Sequence, residues 1–329
     1  MDYKNDFYEI KFYSIGGQGA YTTGQMLSTA ISKSNEGLKV AMFASYGSEK
    51  KGAPVNVFIR FKETEEKITN YSPVKKPNIS VVFREQLIDM FNVLEGIKDD
   101  GILLVDTDLS AQELVDMYML DADKVVAINA TKIANDNKAK INTVMFGALI
   151  KVMGLPNLNE SSFKTEIESK LAYKFPHLVE SNINACADGF EQANITETTP
   201  NKEGSKHAKP KTLGYENQPL GGAILGPNAL LINRKSSREG FVPKFNKEAC
   251  INCTKCDTVC PDDCFVWKEE VGRRDRVEMN LQGIDYQYCK GCLKCVKTCP
   301  TDALSIVEET REFADQNSVK KEYDYIGGK

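Results

Sequence analysis

Nine of the ten cysteines in the chain fall between Cys250 and Cys299. They run Cys250-Ile251-Asn252-Cys253-Thr254-Lys255-Cys256-Asp257-Thr258-Val259-Cys260-Pro261, then Cys289-Lys290-Gly291-Cys292-Leu293-Lys294-Cys295-Val296-Lys297-Thr298-Cys299-Pro300. Each stretch is C-x2-C-x2-C-x3-C-P, and the unit occurs twice. Three cysteines on one tight loop can wrap three corners of a cubane iron–sulfur cluster, while the fourth thiolate, on the helix that follows, points away toward a neighbouring site. Proline after the fourth cysteine redirects the chain where no backbone N–H partner is needed.

In two-cluster ferredoxins this geometry crosses the ligands. The spacing predicts that Cys250, Cys253, Cys256 and Cys299 hold one 4Fe-4S cluster, and that Cys289, Cys292, Cys295 and Cys260 hold the other. Zinc is the competing ion, since C-x2-C suits a tetrahedral site, but zinc takes two such pairs rather than a triplet plus an outlier followed by proline. Cys264 lies outside the repeat, where the second motif has Ala303, and is expected to be a small buried side chain near the cluster. Cys186 is expected in the core. Between the motifs, residues 265–268 and 276–280 read as strands around Gly272, a hairpin that with residues 303–307 makes a small ferredoxin-like β-framework. The chemistry on offer is one-electron transfer along a two-site path, and no substrate is supplied by it.

The rest of the chain must position and feed that path. With 329 residues, 41% hydrophobic and 27% charged, there is enough chain for one large or two modest domains, and disorder throughout is excluded. A net charge of −4 argues against a nucleic-acid binder. Asp2, Lys4, Asp6, Glu9 and Lys11 interrupt the N-terminal stretch, so no export signal is indicated. The longest nearly uncharged apolar run, residues 221–232, is short of the roughly 20 residues that cross a bilayer. The expected setting is cytoplasmic, without a membrane partner, where clustered cysteines bind metal or do redox chemistry rather than form disulfides.

Upstream, residues 9–15, 39–45, 55–61, 79–83, 101–106 and 124–129 read as strands, and residues 22–34, 85–94 and 110–119 as helices, with Thr22 and Ser110 as caps. Residues 142–193 turn helical, with Pro156 and Pro176 as breakers. This alternation predicts an α/β layered domain with a largely parallel sheet. Residues 194–219 hold almost nothing that could enter a core and read as a linker. From position 201 to 249 there are nine Lys and Arg against four Glu, which suits a solvated tether or an acidic partner surface. The expected organisation is an α/β domain over 1–195, a linker and docking segment over 196–240, and a small α+β two-cluster domain over 241–329.

After the first strand comes Gly16-Gly17-Gln18-Gly19, followed by a helix N-terminus. Free backbone N–H groups and the helix dipole there make an anion site, so Gly16, Gly17, Gln18 and Gly19 are the candidate cofactor-binding residues. The spacing is not G-x-G-x-x-G, and tight packing of a β-α turn explains the glycines as well. A second glycine-rich loop, Tyr46-Gly47-Ser48-Glu49-Lys50-Lys51-Gly52-Ala53-Pro54, follows a strand end, where α/β sheets place functional loops.

On these residues, together with Gly214-Tyr215-Glu216-Asn217-Gln218-Pro219, Gly221-Gly222 and Tyr288-Cys289-Lys290-Gly291-Cys292, nearly the whole chain resembles the gamma subunit of 2-oxoacid:ferredoxin oxidoreductases fused to the two-cluster delta subunit. Ser14 stands where the family usually has a further glycine, and Lys50 and Lys51 stand where arginine is usual, although a lysine cannot replace a bidentate guanidinium. The resemblance implies an electron-transfer and scaffolding subunit with no catalytic residue of its own. Thiamine diphosphate, magnesium and the 2-oxoacid would bind on alpha and beta partner subunits, coenzyme A would be a co-substrate, and soluble ferredoxin would accept the electrons. No Gly-Asp-Gly with a downstream Asn is present, since Asp99-Asp100-Gly101 lacks the leading glycine. Pyruvate is the first expected substrate and oxalate, oxidised without coenzyme A, the closest rival; branched-chain, aryl and 2-oxoglutarate members follow. Two further readings stay open: an independent ferredoxin-fused redox adaptor, and a zinc-bearing interaction protein.

Overall fold

The Val-, Ile-, Leu- and Phe-rich runs of the first half become strands of one sheet in a computed structural model of the chain. It describes residues 3–34, 37–47, 53–202, 221, 233–271 and 277–321. The chain divides into two units, Met1–Thr212 and Leu213–Lys329.

In the first unit β1 (Tyr8–Ile15), β2 (Leu38–Tyr46), β3 (Pro54–Glu63), β4 (Ile79–Val82), β5 (Ile102–Asp106), β6 (Lys124–Ile128) and β7 (Thr196–Glu197) form a sheet in the order β2-β3-β1-β4-β5-β6-β7. The centre, β1-β4-β5-β6, is parallel, as the α/β alternation predicts. Its edges are antiparallel: β3 pairs with β1 and β2, and β7 with β6. Every residue of β4 and β5 is buried, because both faces of the sheet are covered.

The helices are α1 (Ala20–Ser34), α2 (Ala111–Tyr118), α3 (Ala130–Asp136), α4 (Ile141–Met153), α5 (Glu160–Leu171) and α6 (Val179–Gln192). Alternation along each strand decides which layer a residue joins. Ile10, Phe12 and Leu104 meet Met26, Leu27 and Ile31 of α1 together with α4 to α6, while Tyr13, Leu103 and Val105 meet Leu114 and Val115 of α2 on the opposite face. Cys186 is fully buried in the first of these layers, as its place on a helical stretch suggests. No helix among the described residues is long and apolar enough to cross a membrane.

Three expectations change. Residues 85–94 carry apolar side chains at helical spacing but form only a 3-10 turn, Glu85–Leu87, followed by separate turns. Tertiary demands win there: Thr107 donates to the buried Glu85 carboxylate, the carbonyl of Asn92 accepts from the Tyr13 hydroxyl, and the chain must return from the end of β4 to the start of β5. Thr22 is not a cap, since α1 starts at Ala20 and the Gly19 carbonyl already accepts from Thr23 N–H at 3.0 Å. Ser110 does cap α2, in a reciprocal box with Glu113. Third, the polar segment after position 194 starts as an edge strand rather than free chain, because β7 and Asn201 bond through backbone atoms alone and need no apolar side chain.

The second unit contains β8 (Phe241–Phe245), α7 (Lys255–Thr258), β9 (Phe265–Val271), β10 (Val277–Ile284), α8 (Lys294–Thr298), β11 (Leu304–Glu308) and α9 (Phe313–Asn317). β9 and β10 pair antiparallel, as the proposed hairpin requires; Gly272 and Arg276 lie outside the described residues. A shift of 39 positions, from Cys250 to Cys289, relates the two halves. It converts the Phe265–Ile284 register of β9 and β10 into the Leu304–Phe245 register of β11 and β8, so the first strand of each repeat pairs with the last strand of the other. The same shift matches three left-handed residues: Asn252 with Gly291, Thr254 with Leu293, and Asp263 with Asp302.

Candidate metal centre

That exchange of strands sets where the cysteines go. One cavity, with about 330 Å³ of empty space, is lined by Cys250, Cys253, Cys256 and Cys299; a second, of about 340 Å³, is lined by Cys260, Cys264, Cys289, Cys292 and Cys295. The three closely spaced cysteines of each motif share a cavity with the fourth cysteine of the other. Each loop triplet is wound by its pair of left-handed residues, and each fourth cysteine follows a short helix, α7 or α8.

The walls suit a sulfur-rich group. Asn252 N–H lies 3.4 Å from Cys250 Sγ, Gly291 N–H 3.5 Å from Cys289 Sγ and Cys264 N–H 3.4 Å from Cys260 Sγ, the kind of backbone contact that steadies ligand sulfurs. The Trp267 indole N–H is buried at the wall of the first cavity with no hydrogen-bond partner among the described residues. Soft thiolates in two sets of four, in apolar surroundings, are the donor chemistry of iron–sulfur clusters. Among the described residues no three His, Cys, Asp or Glu side chains converge on a single ion. Cys253 and Cys292 are exposed, whereas Cys256, Cys289 and Cys295 are buried.

Burial pushes the Cys256 and Cys295 thiols up to about 11 and about 12. The hydrogen bond from Cys264 outweighs burial at Cys260 and pulls it down to about 6; the same donor lowers Cys289. Cys264 is thus buried beside the second set, as expected, yet it also bonds two members of that set. A residue with no pattern to flag it is Arg238. Its guanidinium is buried, donates from Nε to the Cys289 carbonyl at 2.8 Å and to the Tyr286 carbonyl, and pairs with Glu309. A lone arginine ahead of a motif reads as surface charge, and only its sequence neighbours Phe241 and Val242 hint at burial.

In the first unit, Gly16, Gly17 and Gly19 line an open cleft with about 980 Å³ of empty space, together with Tyr21, Tyr46 and Gly47. Gln18 turns back on the loop, its side-chain oxygen accepting from Ile15 N–H at 3.0 Å. Ser14, in place of a glycine, is fully buried and donates to the Val55 carbonyl at 2.7 Å, tying β1 to β3. Residues 48–52, with Lys50 and Lys51, and residues 214–219 lie outside the described residues.

Comparison with known proteins follows the same division. Residues 9–192 match the family described as pyruvate ferredoxin/flavodoxin oxidoreductase, and residues 249–303 match the 4Fe-4S dicluster domain. Over 200 residues the chain is 34% identical to the pyruvate synthase subunit PorC of Thermotoga maritima, covering 60% of this chain and 100% of that one. It is 32% identical over 191 residues to the pyruvate/ketoisovalerate oxidoreductases common subunit gamma of Pyrococcus abyssi, covering 57% of this chain and 98% of the relative. The crystal structure of pyruvate oxidoreductase subunit PORC from Thermotoga maritima superposes with a TM-score of 0.50 at 29% identity, covering 59% of this chain and 100% of that one. More than half of the chain is therefore accounted for by one family, with an iron–sulfur dicluster domain after it, and the chain belongs to the pyruvate ferredoxin/flavodoxin oxidoreductase family.

Proposed function

We propose that the chain is the electron-transfer and scaffolding subunit, gamma and delta in one polypeptide, of a cytoplasmic thiamine diphosphate-dependent 2-oxoacid:ferredoxin oxidoreductase. The reaction is pyruvate plus coenzyme A to acetyl-coenzyme A and CO2, with two electrons passed to soluble ferredoxin. The observation that carries this reading is the pair of four-cysteine cavities with exchanged fourth members, in the same chain as a family domain. When bound, two 4Fe-4S clusters supply one-electron transfer.

The chain's own residues hold and insulate those groups. Cys250, Cys253, Cys256 and Cys299 are the ligands of one cluster, and Cys289, Cys292, Cys295 and Cys260 those of the other. Asn252 and Gly291 N–H groups orient the first sulfur of each loop. Cys253 and Cys292 are exposed, so each cluster these sets would hold would have one ligand at the surface of the chain. Thiamine diphosphate, magnesium and pyruvate belong to the alpha and beta subunits. The cleft beside Gly16, Gly17 and Gly19 opens at the N-terminus of α1, which suits phosphate groups of coenzyme A; Gln18 shapes the loop.

The test is ferredoxin or viologen reduction by the complex purified anaerobically from its native host, with pyruvate and with oxalate, each with and without coenzyme A. Pyruvate activity that needs coenzyme A is the expected result. Oxalate activity without coenzyme A replaces the substrate; recovery of the chain without thiamine-bearing partners replaces the complex by an independent redox adaptor; a colourless, zinc-loaded chain ends the electron-transfer reading.

A further inference from the structure

The two cysteine cavities are built alike but differ at a buried position beside the ligands. The 39-position shift sets Cys264 on Ala303, and each lines its own cavity. Both are buried, at 3% and 2% exposure. Cys264 shares the wall of the second cavity with Cys260 and Cys289: its N–H points at the Cys260 sulfur at 3.4 Å, and its single S–H is within reach of the sulfurs of both. Ala303 offers the other set no side-chain donor. A hydrogen bond to a ligand sulfur draws electron density from it and favours the more negative, reduced state of the centre, which raises its potential.

We propose that Cys264 is a positioning residue whose single S–H, shared between the sulfurs of Cys260 and Cys289, raises the reduction potential of the centre those two cysteines hold. The alanine at the equivalent place gives the other centre no such thiol, so the two centres of the near-symmetric pair are made unequal. This inference rests on the cluster assignment proposed above.

The test uses the full chain, purified anaerobically, as wild type and as Cys264→Ala, Cys264→Ser and Ala303→Cys, each with iron and sulfide analysis and an EPR-monitored redox titration. All four are expected to hold about eight iron per chain. In Cys264→Ala one of the two midpoint potentials moves to a more negative value and the other stays. Cys264→Ser, which keeps a donor, returns the moved midpoint part of the way. Ala303→Cys shifts the midpoint that Cys264→Ala left alone, in the positive direction. Full iron with both midpoints unchanged in Cys264→Ala overturns the inference. So does a fall to about four iron in that variant, which makes Cys264 a ligand. A wild-type chain without iron overturns the cluster assignment itself.

Discussion

Gly291 and Asn252 stand at the same place in the two cysteine repeats, both left-handed (φ 67° and 53°) and both directing an N–H at the first sulfur of their loop, yet their surroundings are opposite. A Cβ on Gly291 would lie 2.6 Å from the Phe241 carbonyl oxygen. Asn252 has room and uses it: its side-chain oxygen accepts from Leu281 N–H at 3.0 Å and its amide donates to Asn280, tying the loop to β10. Asn is among the residues that tolerate this conformation, whereas Gly291 is required by a neighbouring backbone.

Gly291→Ala is therefore expected to be severe. Left-handed strain of about 1–2 kcal/mol adds to a backbone clash that only a shift of β8 relieves. Iron content should fall from about eight toward about four per chain, because only the loop of Cys289, Cys292 and Cys295 is displaced. Asn252→Gly should keep its iron and lose about 1 kcal/mol or less in denaturant unfolding, the net value of its side-chain bonds. A fully loaded, wild-type-stable Gly291→Ala would reject this account.

Arg238 and Glu309 predict a strongly non-additive pair. Their side chains are 2% and 9% exposed. Arg238→Met leaves a buried carboxylate unpaired, at a cost of about 3–5 kcal/mol, and Glu309→Gln leaves the guanidinium short of a counter-charge. Removing both should cost less than the sum, by about 1–3 kcal/mol in a double-mutant cycle. It should not restore the wild type, since Arg238 also holds the Cys289 and Tyr286 carbonyls. Denaturant midpoints of the four proteins measure the coupling, and a coupling near zero would show that the pair does not act as a unit.

Much of this architecture could be read from residue patterns, for reasons that differ by element. Runs such as residues 102–105 read as a strand because both faces are buried, so no polar residue interrupts them. The cysteine motifs were legible because ligand spacing is local. Residues 85–94 were not, because their apolar spacing serves the second layer through Leu87, Ile88 and Val93 while Glu85 and Asn92 are claimed by partners distant in sequence. Arg238 escaped for the same reason, since Tyr286, Cys289 and Glu309 lie about fifty and seventy positions away. Ser14 looked like a lost glycine; its bond to Val55 makes it a cross-strand tie.

The contact of α4 with α6 is made at backbone level. A Cβ on Gly147 would lie 2.0 Å from the Cys186 carbonyl oxygen, and one on Gly189 2.3 Å from that of Val144. Gly147→Ala must push the helices apart through the centre of the larger layer. The expected loss is about 1–3 kcal/mol, despite the better helix propensity of alanine. Thermal unfolding followed by helical circular dichroism reads it, and a stabilised variant would mean that the helices can separate freely.

Removal of iron should act on one unit only. The core of the second unit consists of Val242, Phe265, Leu281, Ile284, Tyr286 and Leu304 with four buried cysteines among them, so its thiols are part of what holds it together. The first unit has two apolar layers without any of those cysteines. Structural metal binding and folding are one equilibrium in small domains of this kind. Anaerobic treatment with a chelator and a mild oxidant, followed by reduction, should leave most of the helical circular dichroism, because α1 to α6 carry most of the described helix. Under the same conditions iodoacetamide should label nine cysteines and spare Cys186, which is fully buried and whose thiol burial pushes well above its ordinary value, away from the reactive thiolate. Labelling of Cys186 together with loss of the helical signal would mean that the two units unfold as one, and that the iron centres support the α/β domain as well as their own.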